Sequence, residues 1–350
     1  MDSIDVLVIG PAGHTRGGVS QYISGQQKYI NEKINIEVHN SGAVDGDNIR
    51  SLVRALFKSG AQLVSLLTKS QPDIIHIHTV HGFPFYRNAL FILLSKAIWE
   101  CPTILHVHGS TFDDFLKSDS KATNYIQTKV FDSVDNIIVL SEYWKSLVES
   151  HTNNSKVVII PNGVKTDEYS PKFSSKSPDL LFVSDLIERK GIKDLLVSFE
   201  TIDADVDLHI AGKGPLSGLV KEYEERNKNI HYHGYVSEKE KAELINSASI
   251  FILPTYAEGL PIAVLEAMAG GNALIVGDVG SIPEVVGSKN GNIVTPGDQK
   301  AIQEAIQALV SSPDTTTEMG KANRKKAVEK YSWKKVDQKL TKLYKSLVES

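Results

Sequence analysis

Two glutamates, Glu258 and Glu266, lie eight positions apart across a Gly-Leu-Pro turn that leads into an apolar run. The turn predicts a helix with Pro261 at its first position, where a missing N–H is tolerated, that runs to Ala269 and stops at the following glycines. With a rise of 1.5 Å per residue, the two carboxylates would be on the order of 10 Å apart. A nucleotide-sugar has about this length, so one carboxylate could bind sugar hydroxyls and the other ribose hydroxyls. Free amides at the helix N-terminus could hold the diphosphate between them.

Two further stretches contain residue types that suit a phosphorylated ligand. The loop 10–20 follows an apolar run, and its Gly17 and Gly18 let backbone amides approach a phosphate. The glycine spacing is not G-x-G-x-x-G, so the dinucleotide fingerprint is missing, and a tight turn without a ligand is the alternative interpretation. Arg189 and Lys190 follow another apolar run and precede a glycine, where two adjacent cations could neutralise a diphosphate. A solvated basic pair is the alternative there.

Several histidines occur in alternating pairs. His106 and His108 end one apolar run, and alternation places both on the same face of a strand, with His108 nearer its carboxyl end. We predict a functional role for His108, which precedes a glycine at the strand exit, and a structural role for His106. Two more pairs are interpreted as structural strand residues: His76 with His78, and His231 with His233. No carboxylate or thiol lies at metal-ligand spacing from these pairs, so no metal site is expected.

The composition narrows the class of protein. The chain has 350 residues, 41% of them apolar, which is enough for two α/β domains. A formal net charge of −4 argues against general nucleic-acid binding. The single cysteine, Cys101, excludes an internal disulfide framework and fits a reducing cytosol. Neither a signal peptide nor about 18 consecutive apolar residues is present, so no export and no transmembrane helix is expected.

Short apolar runs alternate with helical patterns along the chain, which predicts parallel sheets covered by helices on both faces. The strands predicted in the first half are Asp5–Ile9, Ile36–Asn40, Asp73–His78, Thr103–Val107, Asn136–Leu140 and Val157–Ile160. Those in the second half are Leu180–Ser184, Val206–Ala211, Asn229–Tyr232, Ile250–Leu253, Ala273–Val276 and Asn292–Thr295.

The pattern pauses at residues 165–178, which carry prolines and a cluster of serines and indicate a linker. We therefore predict two doubly wound domains, residues 1–168 and 169–331, and a helix in 332–350 that could pack back on the first domain. Ligands of open α/β sheets bind outside the carboxyl ends of the strands. The predicted site residues fall at these ends, so two facing domains would leave a cleft lined by them.

In this arrangement the residues resemble retaining glycosyltransferase family 4, also described as glycosyl transferases group 1, which has the GT-B fold. The run from Ala257 to Glu266 is similar to the Glu-x7-Glu signature of the family. Other motifs occur in the family's order: Gly17-Gly18-Val19-Ser20, His108-Gly109, Ser141-Glu142, Ile160-Pro161-Asn162-Gly163-Val164, Lys190-Gly191, Ala211-Gly212-Lys213-Gly214-Pro215, and residues 291–298. The resemblance covers nearly the whole chain. Ser184-Asp185 stands where the family often has Gly-Arg, and Arg189 is expected to replace the missing charge.

The resemblance implies transfer of a hexosyl unit from a nucleotide-diphospho-sugar, a UDP-sugar being favoured, with retention at the anomeric carbon and without a required metal or cofactor. The acceptor would be a glycan or lipid-linked molecule of bacterial-type capsule, exopolysaccharide or lipopolysaccharide biosynthesis. The implied roles are these: Arg189 and Lys190 hold the diphosphate, helped by Gly17, Gly18 and the turn Gly259-Leu260-Pro261; Glu258 binds the sugar hydroxyls and Glu266 the ribose; His108 lies near the transferred sugar.

Two basic stretches bear on location. Residues 50–69 are basic, apolar and free of acids, and residues 321–350 contain ten Lys/Arg against three acids. Family members that glycosylate lipid-linked acceptors use a helix like the one predicted for residues 50–69 at the membrane surface, and residues 321–350 could face an anionic membrane surface or an acidic partner. The membrane interpretation implies a cytoplasmic protein bound peripherally to the inner face of the membrane. An ordinary packed amphipathic helix and a solvated basic face are the alternatives.

Three other functions stay open from the sequence. A dinucleotide-dependent oxidoreductase needs the glycine fingerprint that the first loop lacks. Another GT-B enzyme, an epimerase or an inverting transferase, would differ in the anomeric configuration of its product. A non-catalytic sugar-binding protein does not fit the intact Glu258, Glu266 and Lys190.

Overall fold

The computed structural model describes residues 3–13, 17–42, 65, 69–153, 156–173 and 178–349. The chain divides into two compact units, the first formed by Met1–Asn162 together with Trp333–Ser350 and the second by Gly163–Ser332. The boundary predicted at residue 168 therefore lies inside the second unit. The stretch after Ser332 is part of the first unit.

The first unit contains a parallel sheet of six strands in the order β2-β1-β3-β4-β5-β6. Its strands are β1 Ile4–Gly10, β2 Ile34–Asn40, β3 Ile74–Thr79, β4 Thr103–Val107, β5 Asn136–Val139 and β6 Val157–Ile159. The described helices between them are α1 Gly18–Tyr29, α2 Phe83–Ile98, α3 Phe112–Leu116, α4 Lys121–Ser133 and α5 Glu142–Glu149. Every residue of β3, β4 and β5 is buried, as expected for parallel strands covered on both faces.

The second unit contains a parallel sheet in the order β12-β11-β10-β7-β8-β9. Its strands are β7 Leu180–Val183, β8 Leu208–Ala211, β9 Ile230–Gly234, β10 Ile250–Leu253, β11 Ala273–Gly277 and β12 Gly291–Val294. Its helices are α6 Ile192–Glu200, α7 Ser217–Arg226, α8 Glu238–Ser247, α9 Ile262–Ala269, α10 Ile282–Val285, α11 Gln299–Val310 and α12 Pro313–Lys326. Short 3-10 turns occur at Thr166–Glu168 and Glu188–Lys190, and a π-helical turn, Ala327–Tyr331, follows α12.

All twelve predicted strands are present, with ends within two residues of the prediction. Both sheets reverse their strand order once, between β1 and β3 in the first unit and between β7 and β10 in the second. Such switch points are where open α/β sheets bind ligands. The loops that follow these four strands are therefore candidate ligand-binding positions.

The last helix, α13 Trp333–Val348, completes the core of the first unit. Its residues Trp333, Val336, Leu340 and Tyr344 recur at the three- and four-residue spacing of one helix face and are buried against β1 and α1. Val164 and Ser332 form a parallel bridge, so the chain enters and leaves the second unit at neighbouring positions.

The basic stretch 50–69 lies, except for Ser65 and Lys69, outside the described residues, and its predicted membrane role stays a prediction. Among the helices that the structure describes, none is both long and apolar enough to span a bilayer.

Candidate active site

The loop between β10 and α9 places Glu258 beside Lys190. Glu258 is buried, and its Oε1 accepts hydrogen bonds from the Lys190 ammonium and, at 3.2 Å, from Thr255 Oγ1. Both members of the ion pair are shielded, with 13% of the Lys190 side chain and 8% of the Glu258 side chain exposed. Partners of this kind are required, because an isolated buried charge costs several kcal/mol. The second carboxylate oxygen, Oε2, has no hydrogen bond to any described residue.

Arg189 joins the turn after β7 to the same loop. Its guanidinium donates to the carbonyl of Ala257 at 2.7 Å. Its own carbonyl accepts a hydrogen bond from the Tyr256 amide at 2.8 Å. The carbonyl also lies 3.0 Å from Thr255 Oγ1 and shares the single proton of that hydroxyl with Glu258. Since β7 and β10 are neighbours in the sheet, these bonds fix the position of Lys190 relative to Glu258 at the switch point.

Two glycines allow the backbone to approach closely here. Gly191 has φ +74°, and a Cβ on it would lie 2.1 Å from the carbonyl oxygen of Pro254. Gly280 has φ +54°, and a Cβ there would lie 2.0 Å from the carbonyl oxygen of Glu258. Both positions require glycine for the conformation and for the space, so the loop that carries Glu258 is held on two sides by backbone that admits no side chain.

Helix α9 differs by one residue from the prediction at its start. Pro261 has φ −69° and ψ 123°, so it is extended and precedes the helix, which begins at Ile262. The Pro261 carbonyl instead accepts the first helical hydrogen bonds, from the amides of Val264 at 3.2 Å and Leu265 at 3.4 Å. The predicted end at Ala269 is confirmed, with Gly270 following it.

Glu266 lies on α9 in a second buried ion pair. Its Oε1 accepts a hydrogen bond from Lys241 Nζ on α8 at 2.8 Å, with 7% and 12% of the two side chains exposed. Burial works to lower the pKa of Lys241, but Glu266 and Glu238 together outweigh it and the pKa is raised. Tyr169 also hydrogen-bonds Glu266, and burial together with this carboxylate raises the pKa of Tyr169. Glu266 is thus a charged, firmly held acceptor.

In the first unit, Gly17 and Gly18 form the start of α1. Gly17 has φ +124°, and, its chain neighbours aside, no atom of a described residue lies within 4 Å of the place a Cβ would take. Within the described residues, no side chain caps the amides of this helix start. An uncapped helix N-terminus suits an anion. Residues 14–16 of the same loop lie outside the described residues.

His108 follows β4 and belongs to a buried group of four histidines, the histidine cluster: His76, His78, His106 and His108. The alternation along β3 and β4 places all four on one face of the sheet, where Tyr22 of α1 contacts three of the rings. Burial and the neighbouring His108 lower the pKa of His76 to about 3, and burial lowers the pKa of His108 to about 3. Burial and neighbouring rings also bring the pKa values of His78 and His106 well below the ordinary value. The cluster is therefore neutral at pH 7.

Ring nitrogens of His76, His78 and His106 lie within 4.8 Å of one another, a spacing that a metal ion could use. The ring planes, however, are nearly parallel: His76 makes an angle of 16° with His78 and of 20° with His106. The nitrogen lone pairs lie in these planes and therefore do not converge on one point. The group contains no carboxylate to offset the charge of a buried ion. We interpret it as a hydrogen-bonded array.

Two family models match the sequence, one over most of each unit. The model of the family described as Glycosyltransferase Family 4 matches residues 6–168, and the model described as Glycosyl transferases group 1 matches residues 164–326. The chain belongs to glycosyltransferase family 4. It is therefore an enzyme of the transferase class.

Relatives of this family 4 chain span most of its length. Alpha-maltose-1-phosphate synthase of Mycolicibacterium smegmatis is 22% identical, over 95% of this chain and 96% of its own. The MMP alpha-(1->4)-mannosyltransferase of Mycolicibacterium hassiacum is 26% identical, over 78% of this chain and 65% of its own.

Solved structures show the fold. Sucrose-phosphate synthase from Thermosynechococcus elongatus matches with a TM-score of 0.80 over 99% of both chains, at 17% identity. The Anabaena protein HepE, in complex with UDP and glucose, matches with a TM-score of 0.75 over 98% of this chain and 100% of its own, at 15% identity. The family 4 chain thus has the GT-B fold, built from two Rossmann-like domains.

Within this family 4 enzyme, the predicted residues fall into three groups. Direct contacts join Arg189, Lys190 and Glu258 to one loop, and Gly259 in that loop accepts a hydrogen bond from the Ser281 amide at 3.1 Å. Glu266 has its own ion pair on α9, with Leu260 buried before that helix. Gly17, Gly18 and His108 belong to the first unit.

Sequence reasoning missed several supporting residues: Thr255, Lys241, Tyr169, Gln26 and Tyr344. Thr255 lies between the predicted strand Ile250–Leu253 and the run Ala257–Glu266 that the sequence singled out. The others come from helices and a linker whose partners are distant in the chain, so no local pattern marks them.

Proposed function

We propose that this glycosyltransferase is a retaining enzyme that moves a hexosyl unit from a nucleotide-diphospho-sugar to a glycan or lipid-linked acceptor of polysaccharide biosynthesis. The main support is the buried Lys190–Glu258 pair beside Arg189, held at the switch point of the second sheet in a family 4 chain. A UDP-sugar is the favoured donor, and a structure with the same fold contains UDP-glucose.

The proposed chemistry requires opposite charges to be stabilised at two places. As the bond from the anomeric carbon to the diphosphate breaks, the sugar becomes cationic and oxocarbenium-like, while the diphosphate gains negative charge. Arg189 and Lys190 supply fixed positive charge for the diphosphate. The acceptor oxygen bonds to the same face of the anomeric carbon, and its proton passes to the leaving phosphate. This route uses no protein nucleophile, metal or cofactor.

The Lys190–Glu258 pair does not have to break for both residues to take part. A lysine ammonium has three donors, and Glu258 uses Oε1 for both of its hydrogen bonds. Oε2 of Glu258 therefore remains for the hydroxyls of the transferred sugar. Lys190, in turn, retains donors for a phosphate oxygen.

The remaining site residues take the roles that the family resemblance gives them. Glu266, held by Lys241, binds the ribose hydroxyls. Backbone amides of Gly17, Gly18 and the turn Gly259-Leu260-Pro261 contact the diphosphate. His108 lies near the transferred sugar.

Substitution of the ion pair tests the proposal. Glu258→Gln and Lys190→Met are each expected to lower turnover of the preferred sugar nucleotide by about 10²-fold, the cost of losing one preorganised electrostatic group. Lys193→Met is the matched control: Lys193 lies three residues after Lys190 and pairs with the exposed Glu188. Wild-type turnover in both site variants would refute the assignment.

The donor and the stereochemistry need separate measurements. A thermal-shift screen of UDP-, GDP-, ADP- and dTDP-sugars identifies the nucleotide; a UDP-sugar should stabilise the protein most. Proton NMR of the product then gives the anomeric configuration, and an inverted product would refute the retaining mechanism.

Peripheral membrane binding at the cytoplasmic face is the proposal for location. Helix α13 carries five lysines, none of them among its buried residues: Lys334, Lys335, Lys339, Lys342 and Lys345. Anionic lipid attracts such basic segments. Flotation with anionic vesicles should recover the protein and neutral vesicles should not; equal recovery would refute the electrostatic attachment.

A further inference from the structure

The histidine cluster continues into a chain of hydrogen bonds that ends at His108. His108 Nε2 lies 2.9 Å from His78 Nδ1, and His78 Nε2 lies 3.2 Å from Oε1 of Gln26 on α1. The Gln26 amide nitrogen donates to Tyr344 Oη on α13 at 2.7 Å and lies 3.2 Å from His76 Nδ1. Gln26 is fully buried, so its amide is shielded from solvent and has these groups as its hydrogen-bond partners.

The orientation of the Gln26 amide, with Oε1 towards His78 and the nitrogen towards Tyr344, gives the chain a direction. A carbonyl oxygen only accepts, so the hydrogen bond to Gln26 Oε1 requires a proton on His78 Nε2. A neutral imidazole carries one proton, which leaves His78 Nδ1 bare and able to accept. The 2.9 Å contact to His108 then requires the proton on His108 Nε2. His108 Nδ1 is consequently the bare nitrogen.

The same rule orders the other branch. Tyr344 donates its hydroxyl proton to His76 Nδ1 at 2.5 Å, so His76 carries its proton on Nε2 and donates to His106 Nδ1 at 3.2 Å. Reversing the Gln26 amide would reverse every donor along both branches. One side chain therefore decides the tautomer of all four rings.

Charge does not disturb this order. His76 and His106 are 0% exposed, His78 is 1% exposed and His108 is 5% exposed. Burial keeps the pKa of each ring below its ordinary value. Neutral rings have distinct tautomers, whereas a protonated ring would donate from both nitrogens. No described residue hydrogen-bonds His108 Nδ1.

We propose that Gln26 is a positioning residue, which acts through His78 to hold His108 neutral with Nε2 protonated and Nδ1 bare. The bare Nδ1 then accepts a hydrogen bond from a hydroxyl of the transferred sugar. The assignment of that acceptor role rests on the proposed function, whereas the tautomer itself depends only on the first unit.

Nitrogen-15 NMR of the histidine rings tests the tautomer directly, because protonated and bare ring nitrogens have well-separated shifts. His108→Asn identifies the His108 resonances by their disappearance. In the wild-type protein we expect a bare Nδ1 and a protonated Nε2 for His108. A protonated Nδ1 would overturn the proposal without any need for a variant that folds.

Gln26→Met tests the control by the amide, since it keeps the side-chain length but removes the acceptor of His78. The expected result is a mixture of the two His108 tautomers. Gln127→Met is the matched control: Gln127 is also fully buried in the first unit, but its amide donates to the carbonyl of Phe115 at 2.7 Å. An unchanged His108 spectrum in Gln26→Met, or the same change in the control, would overturn the role of Gln26.

Kinetics test the link to sugar transfer. Relative to Gln127→Met, Gln26→Met should lower kcat about fivefold, which corresponds to about 1 kcal/mol for one hydrogen bond, with an unchanged Kd for the nucleoside diphosphate. Equal kcat values in the two variants, despite an altered tautomer, would overturn the sugar-hydroxyl role. If the wild-type protein turns over no sugar nucleotide, the proposed function fails while the NMR result still decides the tautomer.

Discussion

Mild acid should destabilise the first unit through its buried histidines. The pKa values of His76 and His108 are about 3 in the folded protein, against 6.5 for an ordinary histidine. The unfolded chain therefore binds more protons below pH 6.5, and the free energy of unfolding falls as the pH falls. Each pH unit is worth 1.36 kcal/mol per ring, so at about pH 5 each ring removes about 2 kcal/mol.

The combined loss is large for a domain. His76 and His108 together give about 4 kcal/mol at about pH 5, and the lowered pKa values of His78 and His106 act in the same direction. Typical stabilities are about 5–15 kcal/mol, so a substantial share would be lost. Above about pH 7.5 the same groups are nearly all neutral in both states and should contribute almost no slope.

Tryptophan fluorescence isolates this unit. Trp99, Trp144 and Trp333 are the three tryptophans of the chain, and all belong to the first unit. Urea titrations followed by this signal should give a constant midpoint above about pH 7.5 and a midpoint that falls from there to about pH 5, still above the ordinary pKa of carboxylates.

A midpoint that is equal at about pH 7.5 and about pH 5 would refute the reasoning. His108→Asn provides the internal check, because it removes one titrating ring from the cluster. Below about pH 5.5, the free energy of unfolding of this variant should fall with pH less steeply than that of the wild type, by about 1.4 kcal/mol per pH unit.

Three further predictions concern the second unit. Lys241→Met should lower the free energy of unfolding by about 3 kcal/mol, because it leaves Glu266 buried without its cation. Lys239→Met, in an exposed pair on the same helix, should cost less than about 0.5 kcal/mol. Urea titrations followed by circular dichroism measure both, and equal costs would contradict the prediction. Gly191→Ala should lower the free energy of unfolding by about 2 kcal/mol or more, because of the positive φ and the contact with Pro254. Gly218→Ala, in open space on α7, should be neutral or stabilising, and thermal unfolding compares the two variants. Thr255→Val should lower kcat/KM about fivefold by removing one hydrogen bond to Glu258, and unchanged kcat/KM would show that this bond does not support transfer.

Local patterns were sufficient for most of the fold. Strands such as Thr103–Val107 and Ile250–Leu253 were predicted with their observed ends, because buried parallel strands are continuous apolar runs between polar turns. Helix α9 was placed within one residue, and the error at Pro261 reflects the similar φ of a residue before a helix and of one inside it.

The candidate site was only partly predictable. Strand order brings Lys190 and Glu258 together although they are 68 positions apart, and both stood at strand ends in motifs that the sequence revealed. The contact between Gln26 and Tyr344 joins residues 318 positions apart. It depends on α1 and α13 covering the same face of the sheet, which no local spacing encodes. For this reason the pairs His76/His78 and His106/His108 were interpreted separately and not as one array.

The return of α13 to the first unit has a consequence for biosynthesis. A ribosome makes the strands and helices up to Asn162 first, but must then translate the whole of Gly163–Ser332 before Trp333 and Tyr344 emerge. Until then the nascent first unit lacks the helix that covers Tyr22 and His76. The second unit has no such dependence and can fold while its neighbour waits. The part of the protein that is begun first is thus finished last.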